Sequence, residues 1–379
     1  MRINFIGELD FNDENAKVPG FGDGVTKSGN DFAKANPIVV AAKNNRGFCE
    51  FFGVKNDLIK TIDTDGNPIE IEYKDREDKD VLDRVSFNRK NVVVNGDDRH
   101  EFICGYDFAK YLHEHVDELK GKRVSVTGQV KKDEYNGNVK DKFEAQSIYV
   151  LKEDDERKNG LQLTAEIFFT KDDVDTADFK KEKKITINGY TSEYAGKDDN
   201  NKAKYEYYPI TVTLDCGKVD FENEKHVKIM NFRLMQMGLK YEDGKLVNKL
   251  KAKTVYSNMF LLNYINGNEE IEFTEAQLTE VQKQKIELGL ATLDDFKPKG
   301  KIFGDSIKIY KVKDFTLTGN YSEGLKVSDE SVADFEERIH VVAPKEVSAE
   351  EVMEKKEDIG MNEPVDDEDD DDGLEDLFG

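Results

Sequence analysis

Between Arg123 and Leu151 the chain reads RVSVTGQVKKDEYNGNVKDKFEAQSIYVL, with apolar and polar residues alternating on both sides of Asn136-Gly137-Asn138. Successive strand side chains point to opposite faces, so a period of two describes half-buried strands. Asn-Gly supplies the positive φ that a tight hairpin turn requires. This stretch therefore commits its part of the chain to a sheet with one wet face, and the same signature recurs elsewhere.

INFIGEL, FCEFFGV and PIEIEYKD read as strands, with the punctuated stretch KVPGFGDGVTKSGND between the first two. VSFNRKNVVVNGDDRHEFICGY gives two more, joined across Asn95-Gly96-Asp97-Asp98. DFAKYLHEHVDELKG predicts an amphipathic helix, since Phe108, Leu112, Val116 and Leu119 share a face and Gly121 follows. Short strands with one helix before the last two are the order of an OB-fold barrel. The first unit is thus expected over residues 1–153, with a polar linker, EDDERKNG, over 153–160.

The second unit, 161–327, is again strand-rich: LQLTAEIFF, KKITINGYTSEY, YEYYPITVTLDC, HVKIMNFRLMQM, KLKAKTVYSNMFLLNYI and DSIKIYKVKDFTL. One helix is expected at about 274–290, opened by a capping box of Thr274 and Gln277 and ending near Gly289. Residues 345–379 lack a core-forming pattern and are expected to be disordered. The fold class is mainly β: two OB-like barrels, a few short helices and an acidic C-terminal tail.

Charge is distributed unevenly. The net charge is −24, and residues 345–379 alone, with 16 Asp/Glu against 3 Lys, contribute −13 of it. The acidic pI near 4.8 therefore describes the tail as much as the rest, and does not exclude nucleic acid as a partner. No apolar run reaches the ~18 residues a membrane helix needs. MRINFIGELDF has Glu8 and Asp10 directly after its apolar run and reads as a first strand, not a signal peptide. Cys49, Cys104 and Cys216 are scattered without a CxxC, which suits a reducing cytoplasm and argues against a zinc site.

No catalytic arrangement is visible. GxxxxGK[ST] and a strand-to-helix GxGxxG are absent, as is GxSxG. His113 and His115 lie on different helix faces, so they do not converge on a metal. The expectation is a protein that is not an enzyme and needs no cofactor or metal.

The positive signal is basic and aromatic residues interleaved on strands. From Lys120 to Lys142 there are seven Lys/Arg (Lys120, Lys122, Arg123, Lys131, Lys132, Lys140, Lys142) against three acids, with Tyr135 at the top of the arm and Phe143 on its return. Single-strand binding uses lysines along the phosphates and rings that stack on bases, each stack worth ~1–3 kcal/mol. Taken alone, the stretch is equally a solvated surface hairpin. Phe87 followed by Arg89 and Lys90 is a second such stretch, whose alternative is a core Phe beside two exposed charges. Lys245, Lys249, Lys251 and Lys253, with Tyr256 and Phe260 just beyond, form a third. In KYEYYPITV, alternation puts Tyr205 and Tyr207 on one face and Tyr208 on the other, so at least one belongs to the core.

At this point INFIGEL, VSFNRK, HEFICGYDFAKYLHEHVDELKGKRVSVTGQV and KKDEY with its return FEAQSIYVL resemble the bacterial and phage single-stranded DNA-binding proteins. The resemblance implies an OB barrel in which Tyr135 is the arm's stacking aromatic, preceded by Lys131 and Lys132. Phe87 is then the stacking ring after a Ser. Both stand where the family carries tryptophan, and this chain has none. Residues 11–80 are longer than the family's corresponding segment, and the second unit is similar only in architecture.

The tail extends the resemblance, which implies that an acidic, apolar-tipped end docks replication and repair partners. Asp366, Asp367, Asp369, Asp370, Asp371 and Asp372 are followed by Leu374, Leu377 and Phe378. The family's Pro-Phe ending is absent and Gly379 follows the Phe, which points toward a phage protein. Physically, the carboxylate run competes with phosphate for a basic groove, and the apolar tip fills a small pocket.

Together these readings describe a cytoplasmic protein (host cytoplasm if phage-encoded) that coats single-stranded DNA without sequence specificity during replication and recombination. Phosphate contacts are expected from Lys120, Arg123, Lys131, Lys132, Arg89 and Lys90. Stacking is expected from Phe87 and Tyr135, and in the second unit from Tyr256 and Phe260 or the Tyr205–Tyr208 strand. The tail would recruit polymerase, helicase, primase or recombination factors and screen the groove, and two barrels per chain imply a monomer or small homo-oligomer. The rival is an acidic interaction factor, a nucleic-acid mimic whose barrels bind protein.

Overall fold

The computed structural model describes residues 1–135, 138–197, 203–271, 278–297, 302–315 and 325–340. One compact unit comprises Met1–Asp133 and Lys140–His340; a second comprises Glu134–Val139 and Val341–Gly379, of which only 134–135 and 138–139 are described. The acidic tail therefore lies outside the described residues. The fold is mainly β.

Five strands close the first barrel: β1 (Arg2–Phe11), β2 (Pro37–Ala42), β3 (Asn45–Val54), β4 (Arg123–Tyr135) and β5 (Asn138–Val150). β1 pairs antiparallel with β2 through Glu8↔Val40 and with β4 through Arg2↔Gln129. β2 and β3 form a hairpin, and β4 and β5 are neighbours. Closure comes from a parallel contact of β3 with β5, Phe143↔Cys49 and Glu144↔Glu50. The cyclic order 1-2-3-5-4, with a parallel third and fifth strand, is that of an OB-fold.

The second barrel repeats it with β6 (Gly160–Phe169), β7 (Lys184–Lys197), β8 (Ala203–Asp215), β9 (Tyr256–Ile271) and β10 (Ile302–Phe315). β6 meets β7 at Phe168↔Tyr190 and β9 along Gln162–Phe169; β8 closes on β10 in parallel at Val212↔Tyr310. Along the chain β5 ends at Val150 and β6 begins at Gly160. In space the sheet continues across the barrels, because β1 pairs antiparallel with β6 from Arg2↔Thr164 to Ile6↔Gly160. One buried cluster accordingly contains Phe5, Leu9 and Phe143 together with Leu161, Leu163 and Phe260.

Each barrel carries a helix between its third and fourth strands. In the first, α1 (Gly105–Glu114) buries Phe108, Ala109 and Leu112, with the Phe108 ring 4.4 Å from that of Phe51. The single helix expected through Leu119 breaks at His115, whose backbone leaves the helical region, and resumes as a short turn over Val116–Leu119. The start of α1 crosses β3 so closely that a Cβ at Gly53 would lie 2.0 Å from the Tyr106 nitrogen, which reserves that position for glycine.

In the second barrel α2 (Glu224–Met235) occupies the equivalent position, where HVKIMNFRLMQM was expected to be a strand. The Asn223 side chain caps it by accepting from the Lys225 and His226 amides, and Met230 and Leu234 form an i, i+4 buried pair. The run of apolar residues fitted either period, and the cap decides it. A third helix, α3 (Glu280–Glu287), lies within the stretch expected at 274–290. Its capping box is made by Thr279 and Gln282, a second copy of the Thr-x-x-Gln motif five residues on; Thr274 and Gln277 lie outside the described residues.

Three hairpins decorate the first barrel. Phe21–Val25 with Asp31–Ala35 extends the sheet from β3. Leu58–Ile62 with Pro68–Glu72 builds a small separate sheet over Ile71, Val85 and Ile103. Asn91–Asn95 with Asp98–Phe102, turning at Gly96 (φ +65°), is the hairpin that the Asn95–Asp98 signal predicts, and its first strand runs parallel beside β5.

Candidate nucleic-acid interface

The outer surface of the first barrel follows from the alternation of β3. Gly47, Cys49, Phe51 and Gly53 turn inward, which leaves Phe48, Glu50 and Phe52 facing out. Phe48 and Phe52 are 51% and 52% exposed, unusual for phenylalanine on a barrel wall. Beside them β5 presents Lys142, Glu144 and Gln146, and β4 presents Gln129 and Lys131. Burial pushes the inward Cys49 thiol up to about 12, so it is a core residue and not a nucleophile.

These side chains line two adjoining cavities. The first, about 450 Å³, includes Phe52, Arg89, Lys131, Lys142 and Glu144; the second, about 520 Å³, includes Val18, Phe48, Lys140 and Phe143. The Phe87–Arg89 turn flanks the first cavity with an exposed Phe87 ring, and the Arg99 guanidinium lies 5.8 Å from that ring's centre. Arg89 is exposed and makes no ion pair among the described residues.

The lysines here are held by carboxylates. Lys131 meets Glu144 at 2.6 Å and Lys142 meets Glu50 at 2.9 Å. Burial pulls the Lys142 ammonium down, but the hydrogen bond and charge of Glu50 outweigh it and leave its pKa raised. Lys90 is buried and donates to Glu101 at 2.8 Å. Burial pushes that carboxyl up, yet the bonds from Lys90 and Arg99 hold it below the usual range.

The expected site residues therefore separate into groups. Phe87, Arg89 and Lys131 come together around the first cavity. Lys90 lines it too, but its ammonium is committed to Glu101, so the phosphate contact expected of it does not fit this arrangement. Lys132 points to the opposite face of β4, pairs with Asp141 at 2.7 Å, and exposes only 6% of its side chain. Lys120 sits 3.3 Å from Asp10. Arg123 donates to Asn159 Oδ1 at 2.9 Å and to the Asp155 and Arg157 carbonyls, which makes it a tether for the linker. Tyr135 ends β4, and its side chain lies outside the described residues, as do Asp366–Phe378.

The second-barrel rings correct the sequence reading. Phe260 is wholly buried, and Tyr256 is 6% exposed with its hydroxyl accepting from the Lys251 amide at 3.0 Å. A ring enclosed by the core has no face to offer a base, so neither serves as a stacking residue. Tyr207 is likewise buried and donates to Glu330 at 2.7 Å. Tyr205 is exposed and faces Tyr194 across the β7–β8 hairpin, ring centres 6.1 Å apart.

Sequence reasoning missed Phe48 and Phe52, and counted Lys142 among the basic residues of the hairpin without assigning it a contact. The signal was available in FCEFFGV, where two phenylalanines four apart share a face with Glu50 while Cys49 and Phe51 take the other. Alternation alone does not say which face is inside.

Among the described residues no helix is long and apolar enough to cross a membrane. No protein-family model matches the chain, and no curated protein matches it. Two solved structures of single-stranded DNA-binding protein from Thermus aquaticus are similar to it, both with a TM-score of 0.27. The wild-type form is 8% identical over 73% of this chain and 98% of that one; a deletion mutant is 11% identical over 70% and 86%. Likeness at that score carries no argument, and the architecture above rests on the chain's own strand pairings.

Proposed function

We propose that the protein binds single-stranded DNA without sequence preference along the outer face of its first barrel, and is not an enzyme. The observation that carries this reading is the set of exposed rings, Phe48, Phe52 and Phe87, around cavities edged by Arg89, Lys131 and Lys142. Rings accept any base and cations follow the phosphates, the combination expected of a sequence-tolerant strand binder. Residues 1–153 carry the groove and 161–327 form the second barrel. The acidic tail recruits replication and recombination proteins and weakens the groove's hold on DNA, and the protein acts in phage or bacterial replication as a monomer or small homo-oligomer.

A second reading draws on the ion pairs: Lys131 and Lys142 are already neutralised, in a protein of net charge −24. On that reading the barrels bind protein. Fluorescence anisotropy with labelled oligo-dT of increasing length at two salt concentrations separates the two. It would compare the full chain, a chain ending at Pro344, and duplex DNA as control. Binding of single strands over duplex that weakens steeply with salt and tightens without the tail supports strand coating. No binding at low salt by the shortened chain removes it and leaves the protein-binding barrel.

A further inference from the structure

Among the described residues, only Glu50 and Lys142 line both cavities on the first barrel. Their ion pair is therefore the ridge between them. Phe48 and Phe52 lie two residues to either side of Glu50 on the same face of β3, one in each cavity. Their Cα atoms are about 13 Å apart along a strand that rises roughly 3.3 Å per residue. A polymer that uses both rings must cross the ridge.

The register sharpens the point. Glu50 and Glu144 are direct partners across the parallel β3–β5 contact, a like-charge pairing that is unfavourable by itself. Lys142 offsets one carboxylate and Lys131 the other, at 2.9 and 2.6 Å. The result is a row of four charges, Lys131, Glu144, Glu50 and Lys142, with the two carboxylates side by side in the middle and no net charge. Glu144 reaches only the first cavity, so removing its charge would not open the way to the second.

We propose that Glu50 is the affinity-setting residue of this groove: it occupies Lys142 in place of a phosphate and keeps the two cavities from acting as one track. The inference rests on the strand-binding reading. A phosphate crossing the ridge takes Lys142 from Glu50, and the displaced carboxylate remains beside the bound strand and opposes it. Short oligonucleotides that occupy one cavity avoid this exchange, whereas longer ones do not. Glu50 thus makes the groove weaker and less salt-sensitive than its lysine content implies.

The test uses the full chain, with Glu50→Gln compared to wild type by anisotropy on oligo-dT of increasing length across a salt series. Freeing Lys142 adds one phosphate contact, so the slope of log K against log salt should steepen by about 0.7 on a single strand. Affinity for long oligonucleotides should rise about three- to tenfold at low salt, with little change for the shortest that bind. The double variant Glu50→Gln, Lys142→Gln should return the slope to the wild-type value, which a purely structural effect of Glu50 would not do. Matching thermal unfolding curves establish that the variants are folded; should Glu50→Gln unfold, Glu50→Asp, which shortens the carboxylate's reach, should shift the slope in the same direction. An unchanged slope in folded Glu50→Gln with salt-sensitive wild-type binding overturns the role of Glu50 alone. If wild type binds no oligo-dT at low salt, this inference and the strand-binding reading fall together.

Discussion

The two barrels share one strand order and differ in what their third strand shows to solvent. β3 turns Phe48, Glu50 and Phe52 outward, whereas the corresponding part of β8 turns out Thr211 and Thr213. Inside they are alike: Cys49 and Phe51 in one, Val212 and Leu214 in the other, each closing on its fifth strand in parallel. The inward half of the pattern specifies the barrel and leaves the outward half free to specify a surface. Phe48, Phe52 and Phe87 are exposed around the first barrel's cavities, whereas Phe260, Tyr256 and Tyr207 of the second barrel are enclosed and its exposed Tyr194 and Tyr205 stand on the β7–β8 hairpin.

That contrast can be broken most directly at Phe260. Truncating this fully buried ring to Ala should cost about 3–5 kcal/mol of stability, read by denaturant unfolding. If Phe260→Ala unfolds at the wild-type denaturant concentration yet loses oligonucleotide affinity, the ring is a binding residue and the distinction collapses.

Phe52→Ala should do the reverse. Loss of one stack predicts a drop of about 1–3 kcal/mol in single-strand binding, with little change in the unfolding midpoint. The paired control, Thr211→Ala with Thr213→Ala on the second barrel, should leave oligo-dT affinity unaltered. Equal losses from both sets would mean that the barrels bind alike.

A smaller effect is expected at Lys131. Its ammonium is half-exposed and paired with Glu144, so Lys131→Ala should weaken binding only a few-fold and flatten the salt slope by at most about 0.7. A larger change would show that the Glu144 pair opens fully in the complex.

The smallest effect is a pH dependence of stability. Lys90 and Arg99 hold Glu101 below its ordinary range, so the stability this carboxylate supplies is fully present above the usual Glu value and is lost as the pH falls through the depressed folded value. Glu101→Gln should therefore be less stable than wild type near neutrality, and chemical denaturation at a series of acid pH values should show the gap narrowing. A constant gap would mean that Glu101 contributes shape and not charge.

Much of the fold was legible locally. The hairpin at Gly96, the strands β4 and β5 and the helix carrying Phe108 and Leu112 follow from period and turn chemistry. What was not legible depends on distant partners. The misassignment of Tyr256 and Phe260 has such a cause: Val255–Phe260 are buried on every residue, so alternation does not report a wet face there. On one side Tyr256 and Phe260 join the barrel core and Asn258 donates to the Gln236 carbonyl at the end of α2; on the other, Val255 packs in a buried cluster with Tyr207 and Phe335. The groove was half legible, through Phe87, Arg89 and Lys131. The ion partners of its lysines were not, because Glu50 and Lys142 meet only when strands almost a hundred residues apart close the barrel.

The position of β1 has a consequence for how the protein is made. This strand lies between β4 and β2 of its own barrel and also carries β6 of the other. It is translated before these two partners, since β4 begins at Arg123 and β6 at Gly160. At about 5–20 residues per second, the ribosome takes on the order of ten seconds to supply them. For that interval the Arg2–Ile6 part of the strand, which carries Ile3, Phe5 and Ile6 and pairs with those two strands, lacks both of these partners in the nascent chain. High contact order and an open apolar strand are the conditions under which chains aggregate before they fold. Yield during expression should accordingly depend on holdase chaperones and on translation speed across residues 12–160, more than on the stability of the finished barrels.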